Sequence, residues 1–271
     1  MLLNRYKGYA MYKAILLSIG EPTTFGIYYT SAYNDVPNLV FILRLNGKSS
    51  HVLPLLFAPL CADVNDIRRD KIQTFSSLLQ PNIMSLCDLC ECIIDRNFFI
   101  ENEILQHDLT HFISCDVMES GINYYDKYGI YNNSNAINTD FIKLECGLDS
   151  VLQLLTHFAP LHAVYYSRGV GSLSAIKLTH IFLHTLALSM QIPIYATNSF
   201  YFSGDNEIKA FANMSFFLDA KQHLTLTDEN ACKYIRLATS STKNPKLHLP
   251  YNLIHDDFLE SCTPLYVTPA V

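Results

Sequence analysis

The sequence predicts an α/β protein built on a mixed sheet, and three observations carry that reading. Three apolar runs near the start, residues 12–19, 25–30 and 39–45, are separated by short turn signals, the pattern of antiparallel strands. Much later, Leu161–Ser167, the turn Gly169-Val170-Gly171-Ser172, the apolar run Leu173–Met190 and residues 192–197 read as strand, glycine turn, helix and parallel strand. Such a unit is one crossover connection. Between these two parts lies a stretch of different composition: residues 61–147 hold 14 acidic and 6 basic side chains, against 11 and 13 in the rest.

Taken in order, a polar start (Asn4, Arg5, Lys7) precedes the first strand, and residues 1–10 are expected to be dispensable, with Met11 as a possible initiator. Glu21-Pro22-Thr23 turns the chain into the second strand, and Asn34-Asp35 with Pro37 turns it into the third, which Asn46-Gly47 closes. Ser49-Ser50 offers an N-cap for a helix carrying Val52, Leu53, Leu55, Leu56 and Phe57, with Pro54 in its first turn. Residues 65–79, 83–95 and 101–118 read as helices, with Pro81 as a break. Residues 121–139 are rich in turn formers and read as loop, and helical periodicity returns over 148–158 until Pro160. Beyond the crossover, strands are expected at 208–218, 224–227, 247–249 and 265–267, with a helix near 228–237. Three units follow: 11–60 with 148–205, the acidic and mostly helical insertion 61–147, and a short C-terminal lobe at 206–271.

Composition narrows the function. Of 271 residues, 49% are hydrophobic and 16% charged, which excludes disorder as the overall state. A net charge of −6 supplies no basic surface for gripping nucleic acid unaided. Eight cysteines in a chain able to bury its own core are expected as reduced thiols in the cytoplasm. The best apolar run near the start, residues 14–19, is too short for a signal sequence or a membrane span.

Four constellations could carry chemistry. The Gly169–Ser172 turn opens a helix after a strand, so it could hold an anion, or simply let backbones approach closely. It lacks the third glycine of a dinucleotide fingerprint and the Gly-Lys of a P-loop. Cys87-x-x-Cys90 followed by His107-x-x-x-His111 has zinc-ligand types, although the central spacing exceeds that of a classical finger, and a plain amphipathic helix explains the same letters. His107-Asp108-x-x-His111 also has metalloprotease spacing, but the shorter aspartate would misplace the attacking water. His180 and His184 lie one turn apart on the long helix, a helix face rather than a metal site since no carboxylate or cysteine is near in sequence.

The run from Ala163 through Tyr165-Tyr166-Ser167-Arg168-Gly169-Val170-Gly171-Ser172-Leu173-Ser174-Ala175-Ile176-Lys177 to Ala187-Leu188 and Gln191-Ile192-Pro193-Ile194 resembles the G-P-G-S-F-T-G-L-R, helix, A-x-x-x-x-I-P segment of the TsaB family. Ser49-Ser50-His51-Val52-Leu53-Pro54 resembles that family's H-S-E-x-L-L-P helix start, and Pro264-Leu265-Tyr266-Val267-Thr268-Pro269 its P-x-Y-L-R ending. Val170 stands for proline, Ala175 for the third glycine and Lys177 for arginine. The resemblance implies a ribonuclease-H-like lobe of the actin/Hsp70 type with a helical insertion and a small, reduced second lobe. It further implies a non-catalytic subunit that heterodimerises with a TsaD-like enzyme and supports threonylcarbamoyl transfer to adenosine in tRNA. A TsaE-like ATPase is a further partner, tRNA is met only through the complex, and no cofactor or membrane is expected.

The enzyme of that fold carries H-x-x-x-H after the strand that follows the long helix. This chain has Asn198-Ser199-Phe200-Tyr201-Phe202 there, and Glu21 is the only carboxylate near the end of its first strand. No catalytic residue is therefore expected. Gly169, Gly171 and Ser172 are expected to shape the turn, and Leu173, Ile176, His180, Leu183, His184 and Ala187 to meet the partner. The alternatives are a zinc-binding interaction module carried by residues 61–147, with Cys87, Cys90, His107 and His111 as ligands, and a divergent ATP-using enzyme of the same fold.

Overall fold

The computed structural model describes residues 11–30, 36–61, 86–101, 115–117, 130–131, 141–144, 146–204, 206–219, 234–240, 247–260 and 263–265. The chain starts with an antiparallel meander. β1 (Met11–Leu17) pairs with β2 (Thr23–Thr30), and β2 with β3 (Asn38–Asn46). Ala14 and Leu16 of β1 enter one buried cluster while Ile15 and Leu17 enter another. Side chains alternate between the faces of a strand, so a strand covered on both sides is apolar throughout.

α1 (Ser49–Phe57) follows β3 and buries Val52, Leu53, Leu55, Leu56 and Phe57. Its N-cap is Lys48 rather than a serine, so Pro54 falls beyond the first turn. Then come β4 (Asp88–Asp95), α2 (Arg96–Glu101), β5 (Cys115–Val117), β6 (Ile130–Tyr131), β7 (Phe141–Leu144) and α3 (Leu148–Leu155). Asp95 starts α2 by accepting a 2.9 Å hydrogen bond from the Phe98 N–H. β8 (Leu161–Ser167) lies parallel to β1, α4 (Leu173–Met190) crosses over, and β9 (Ile194–Thr197) lies parallel to β8. α4 stops at Gln191, which takes the left-handed conformation (φ 55°) two residues before Pro193. β10 (Glu207–Phe211), β11 (Met214–Leu218) and β12 (Ile235–Thr239) form a separate antiparallel sheet. β13 (Leu249–Pro250) pairs with β6, and β14 (Leu259–Glu260) with β9.

The main sheet thus has nine strands in the order β14-β9-β8-β1-β2-β3-β4-β7-β5. The architecture is α/β with a large mixed sheet. One face is covered by α1, α3 and the inner side of α4, through Leu53, Leu56, Leu155 and Leu183. The other is covered by Phe202, Leu249, Tyr251, Leu253 and Phe258, which pack on Ile15, Leu17, Tyr28 and Ile42. The Tyr28 hydroxyl donates to the Pro250 carbonyl at 2.6 Å, and the Leu39 N–H to that of Tyr251 at 2.8 Å, pinning this segment down.

Several expectations need correction. The helix expected over 83–95 is the strand β4, antiparallel to β3, and the end of the helix expected over 101–118 is β5. Within 61–147 the described residues are more strand than helix, and they are no independent layer. Cys92, Ile93 and Ile94 are buried in the main core, and Arg44 of β3 forms an ion pair with Glu91 directly opposite. The strand expected over 208–218 is a hairpin broken at Ala212-Asn213, and residues 235–237, expected to be helical, belong to β12. Residues 1–10, 65–79, 224–227 and 266–267 lie outside the described residues.

Because Ile94 is fully buried, Ile94→Ala is expected to cost about 2–5 kcal/mol, read as a lower denaturation midpoint in urea. An unchanged midpoint would show that β4 is not part of the main core.

Candidate functional site

The β1–β2 turn and the starts of α1 and α4 surround an open cleft of about 480 Å³, lined among others by Gly20, Glu21, Lys48, Ser49, Ser172 and Ser174. Each helix start presents backbone N–H groups with no side-chain cap bond, from N-caps Lys48 and Ser172. The lining holds one carboxylate, one ammonium group and several hydroxyls, with no histidine or cysteine.

The glycine turn forms the inner wall, and close packing accounts for its letters. A Cβ on Gly171 would sit 2.6 Å from Ile19 Cβ and 2.7 Å from the Ile19 carbonyl oxygen, and one on Gly169 would sit 2.5 Å from the Leu265 carbonyl oxygen. Both glycines have positive φ, 122° and 155° for Gly169 and Gly171. The Ser172 N–H donates to the Ile19 carbonyl at 2.8 Å, so this donor is spent within the protein. Ser199 ties the turn from behind: its N–H donates to the Gly169 carbonyl (2.6 Å), its hydroxyl to the Val170 carbonyl (2.5 Å), and Ser167 Oγ lies 2.6 Å away. Asn198 and Ser199, noticed in the sequence only for lacking histidine, are thus structural. Their sole local signal was a polar pair directly after an apolar strand.

α4 has two unlike sides. Ile176, Thr179 and Leu183 are buried in the chain's own packing, and the Thr179 hydroxyl is hydrogen-bonded to that of Ser18. Ile176 and Leu183, expected to meet a partner, are therefore taken up by the core. Leu173, Ile181 and Leu188 point outward, 53%, 64% and 85% exposed, while Ala187 is intermediate. Among the described residues α4 is the one helix long and apolar enough to cross a membrane by length and composition. The His180 and His184 rings lie between these two sides, tilted against each other at 55° with centroids 4.1 Å apart, and Tyr166 Oη lies 3.1 Å from His180 Nδ1. Burial, with His184 adding to it, pushes the His180 pKa down. Tyr166 escaped the sequence reading because only the register of β8 turns it toward the helix.

Of the zinc candidates, Cys87 is buried just before β4 and Cys90 is exposed within it, while His107 and His111 lie outside the described residues. Among the described residues no group of three metal-ligating side chains comes together. No protein-family model, curated protein or solved structure matches this chain.

Two predictions follow from this geometry. Gly171→Val is expected to cost about 1–3 kcal/mol and to loosen the start of α4, seen as faster amide exchange at the helix N-terminus. For His180, the folded state binds its proton less readily than the unfolded chain does. Its contribution is therefore complete above the ordinary value of 6.5 and is lost as pH falls below it. Thermal melts between about pH 7.5 and 5.5 should show that loss, and His180→Gln should reduce it. Burial lowers the His162 pKa too, so part of the slope should persist.

Proposed function

We propose that this chain is a non-catalytic TsaB-like subunit, with a ribonuclease-H-like lobe of the actin/Hsp70 type, that pairs with a TsaD-like enzyme in the cytoplasm. In that role it supports threonylcarbamoyl transfer to adenosine in tRNA and needs no cofactor of its own. The observation that carries the reading is the conjunction of strand order and motif position. Three antiparallel strands are followed, on the other side of β1, by two parallel strands joined through α4. The TsaB-like glycine segment occupies the turn into that helix. This is the succession of elements the resemblance implies, with β4, β7 and β5 added beyond β3.

The outward side of α4 supports the choice of a subunit. Leu173, Ile181 and Leu188, with Lys177 and Thr185 between them, form an apolar strip that a protein acting alone has no reason to keep in water. We assign the partner contact to these residues, in place of Ile176 and Leu183. A TsaE-like ATPase belongs to the same complex in this reading, and tRNA is engaged through the TsaD-like subunit.

Affinity capture of the tagged full chain from its own cells is expected to recover a TsaD-like protein. Ile181→Glu combined with Leu188→Glu should abolish that recovery and leave the melting temperature within a few degrees, since both positions are exposed. Glu21→Ala should leave tRNA modification intact. Loss of modification with partner binding retained would sink the non-catalytic reading.

A further inference from the structure

Among the described residues the buried charged side chains are Asp95, Glu207 and Arg168. Both carboxylates have partners: Asp95 accepts from the Phe98 N–H, and Glu207 from the Ser240 hydroxyl at 2.6 Å. Arg168 is 5% exposed, and its Nε and Nη2 are enclosed without a hydrogen-bond partner among the described residues. We propose that this edge of Arg168 is a binding site for a small carboxylic acid, taken up as its monoanion from outside the chain.

The backbone of Arg168 is held on both sides. Its N–H donates to the Thr197 carbonyl at 2.9 Å, and its carbonyl accepts from the Leu265 N–H at 2.8 Å. A guanidinium stays protonated in proteins, so burial is not relieved by loss of the charge. Ordered water would satisfy the two donors but would leave the charge without a counter-charge, which is strongly destabilising in an interior. An anion supplies both.

Geometry and charge together select the class of anion. Nε–H and one Nη2–H lie along the same edge of the guanidinium plane, and that fork matches the two oxygens of a carboxylate through parallel hydrogen bonds. Arg168 is the one buried cation among the described residues, and the turn it enters packs among Val170, Ile176 and Leu265. One negative charge balances it, whereas a phosphate dianion would leave a second charge among apolar side chains. Thr197, on the neighbouring strand end, has an enclosed hydroxyl that is likewise without a partner among the described residues. β1, β8 and β9 run parallel and end at this edge of the sheet, and open α/β sheets take their ligands beyond the carboxyl ends of such strands. Arg168 does not line the cleft at the starts of α1 and α4, so the two places are distinct. This inference stands independently of the proposed TsaB-like role.

The test uses the full chain dialysed into carboxylate-free buffer, with formate, the smallest carboxylate, as probe and sodium chloride at equal ionic strength as control. Sodium formate is expected to raise the melting temperature by about 2–4 °C over chloride and to saturate with concentration. Inorganic phosphate in its dianionic form should raise it less than formate does. Arg168→Met should lose the formate response and, in plain buffer, melt no lower than wild type, because it removes an unbalanced buried charge. A measurement on the wild type alone decides the matter should that variant fail to fold. The Arg168 Nε–H resonance of nitrogen-15-labelled protein, assigned through bonds from its own backbone amide, should move downfield and exchange more slowly with water as formate is added. A chloride or phosphate response as large as that of formate, a formate response kept by Arg168→Met, or an Nε–H signal that formate leaves unmoved would overturn the proposal.

Discussion

At Gly171 there is no room for a side chain, and three parts of the molecule meet because of it. The end of β1 at Ile19 comes within contact of the turn that starts α4, and Leu265 closes over Gly169 from the other side. Parallel pairing of β8 with β1 sets this distance, since both strands end at the same edge of the sheet. The Ser18–Thr179 contact then clamps the helix to the strand end. Ile19, Val170 and Ile176 continue into a small cluster with Ile208, Phe216 and Ile235, so the three-stranded sheet rests on the same point. Crossover and small sheet therefore share one close contact.

How much of this was legible in the sequence depended on whether the signal was local. β1, β2, β3, β8 and α4 were readable because each is a long apolar run bounded by turn residues, and the glycines marked the tight turn. β4 was not. Its first half alternates Asp88, Leu89, Cys90 and Glu91, and its second half is continuously apolar over Cys92, Ile93 and Ile94, because only the latter is covered on both faces. Such a mixture fits helical periodicity equally well, and pairing with β3, distant in sequence, decides between them. Likewise the sequence shows that Leu173, Ile176, Ile181, Leu183 and Leu188 share one helix, but not which of them face inward. That choice is made by the position of α1 and the sheet, which sorts Leu183 into the core and leaves Leu188 in water.

The acidic middle of the chain acquires a physical purpose from its place in the sheet. Without β4, the meander would end at β3 with a row of unpaired backbone groups nine residues long. β4 satisfies that row, and the shorter β7 and β5 continue outward, so the sheet finishes in a strand of three residues. The ion pair between Arg44 and Glu91 marks the register at this junction, where a slip by one residue would exchange Ile93 and Ile94 between the two buried faces and part the two charges.

The covering of the second sheet face by Leu249, Tyr251, Leu253 and Phe258 has a consequence for synthesis. The strands it protects, β1, β2 and β3, leave the ribosome first, and at roughly 5–20 residues per second the covering segment emerges many seconds later. Throughout that interval Ile15, Leu17, Tyr28 and Ile42 lack the cover that Leu249, Tyr251, Leu253 and Phe258 supply. The nascent chain is accordingly a natural client for a holding chaperone, and premature termination before residue 247 would release a product whose sheet lacks most of this apolar cover, suited to degradation or aggregation rather than to partial activity.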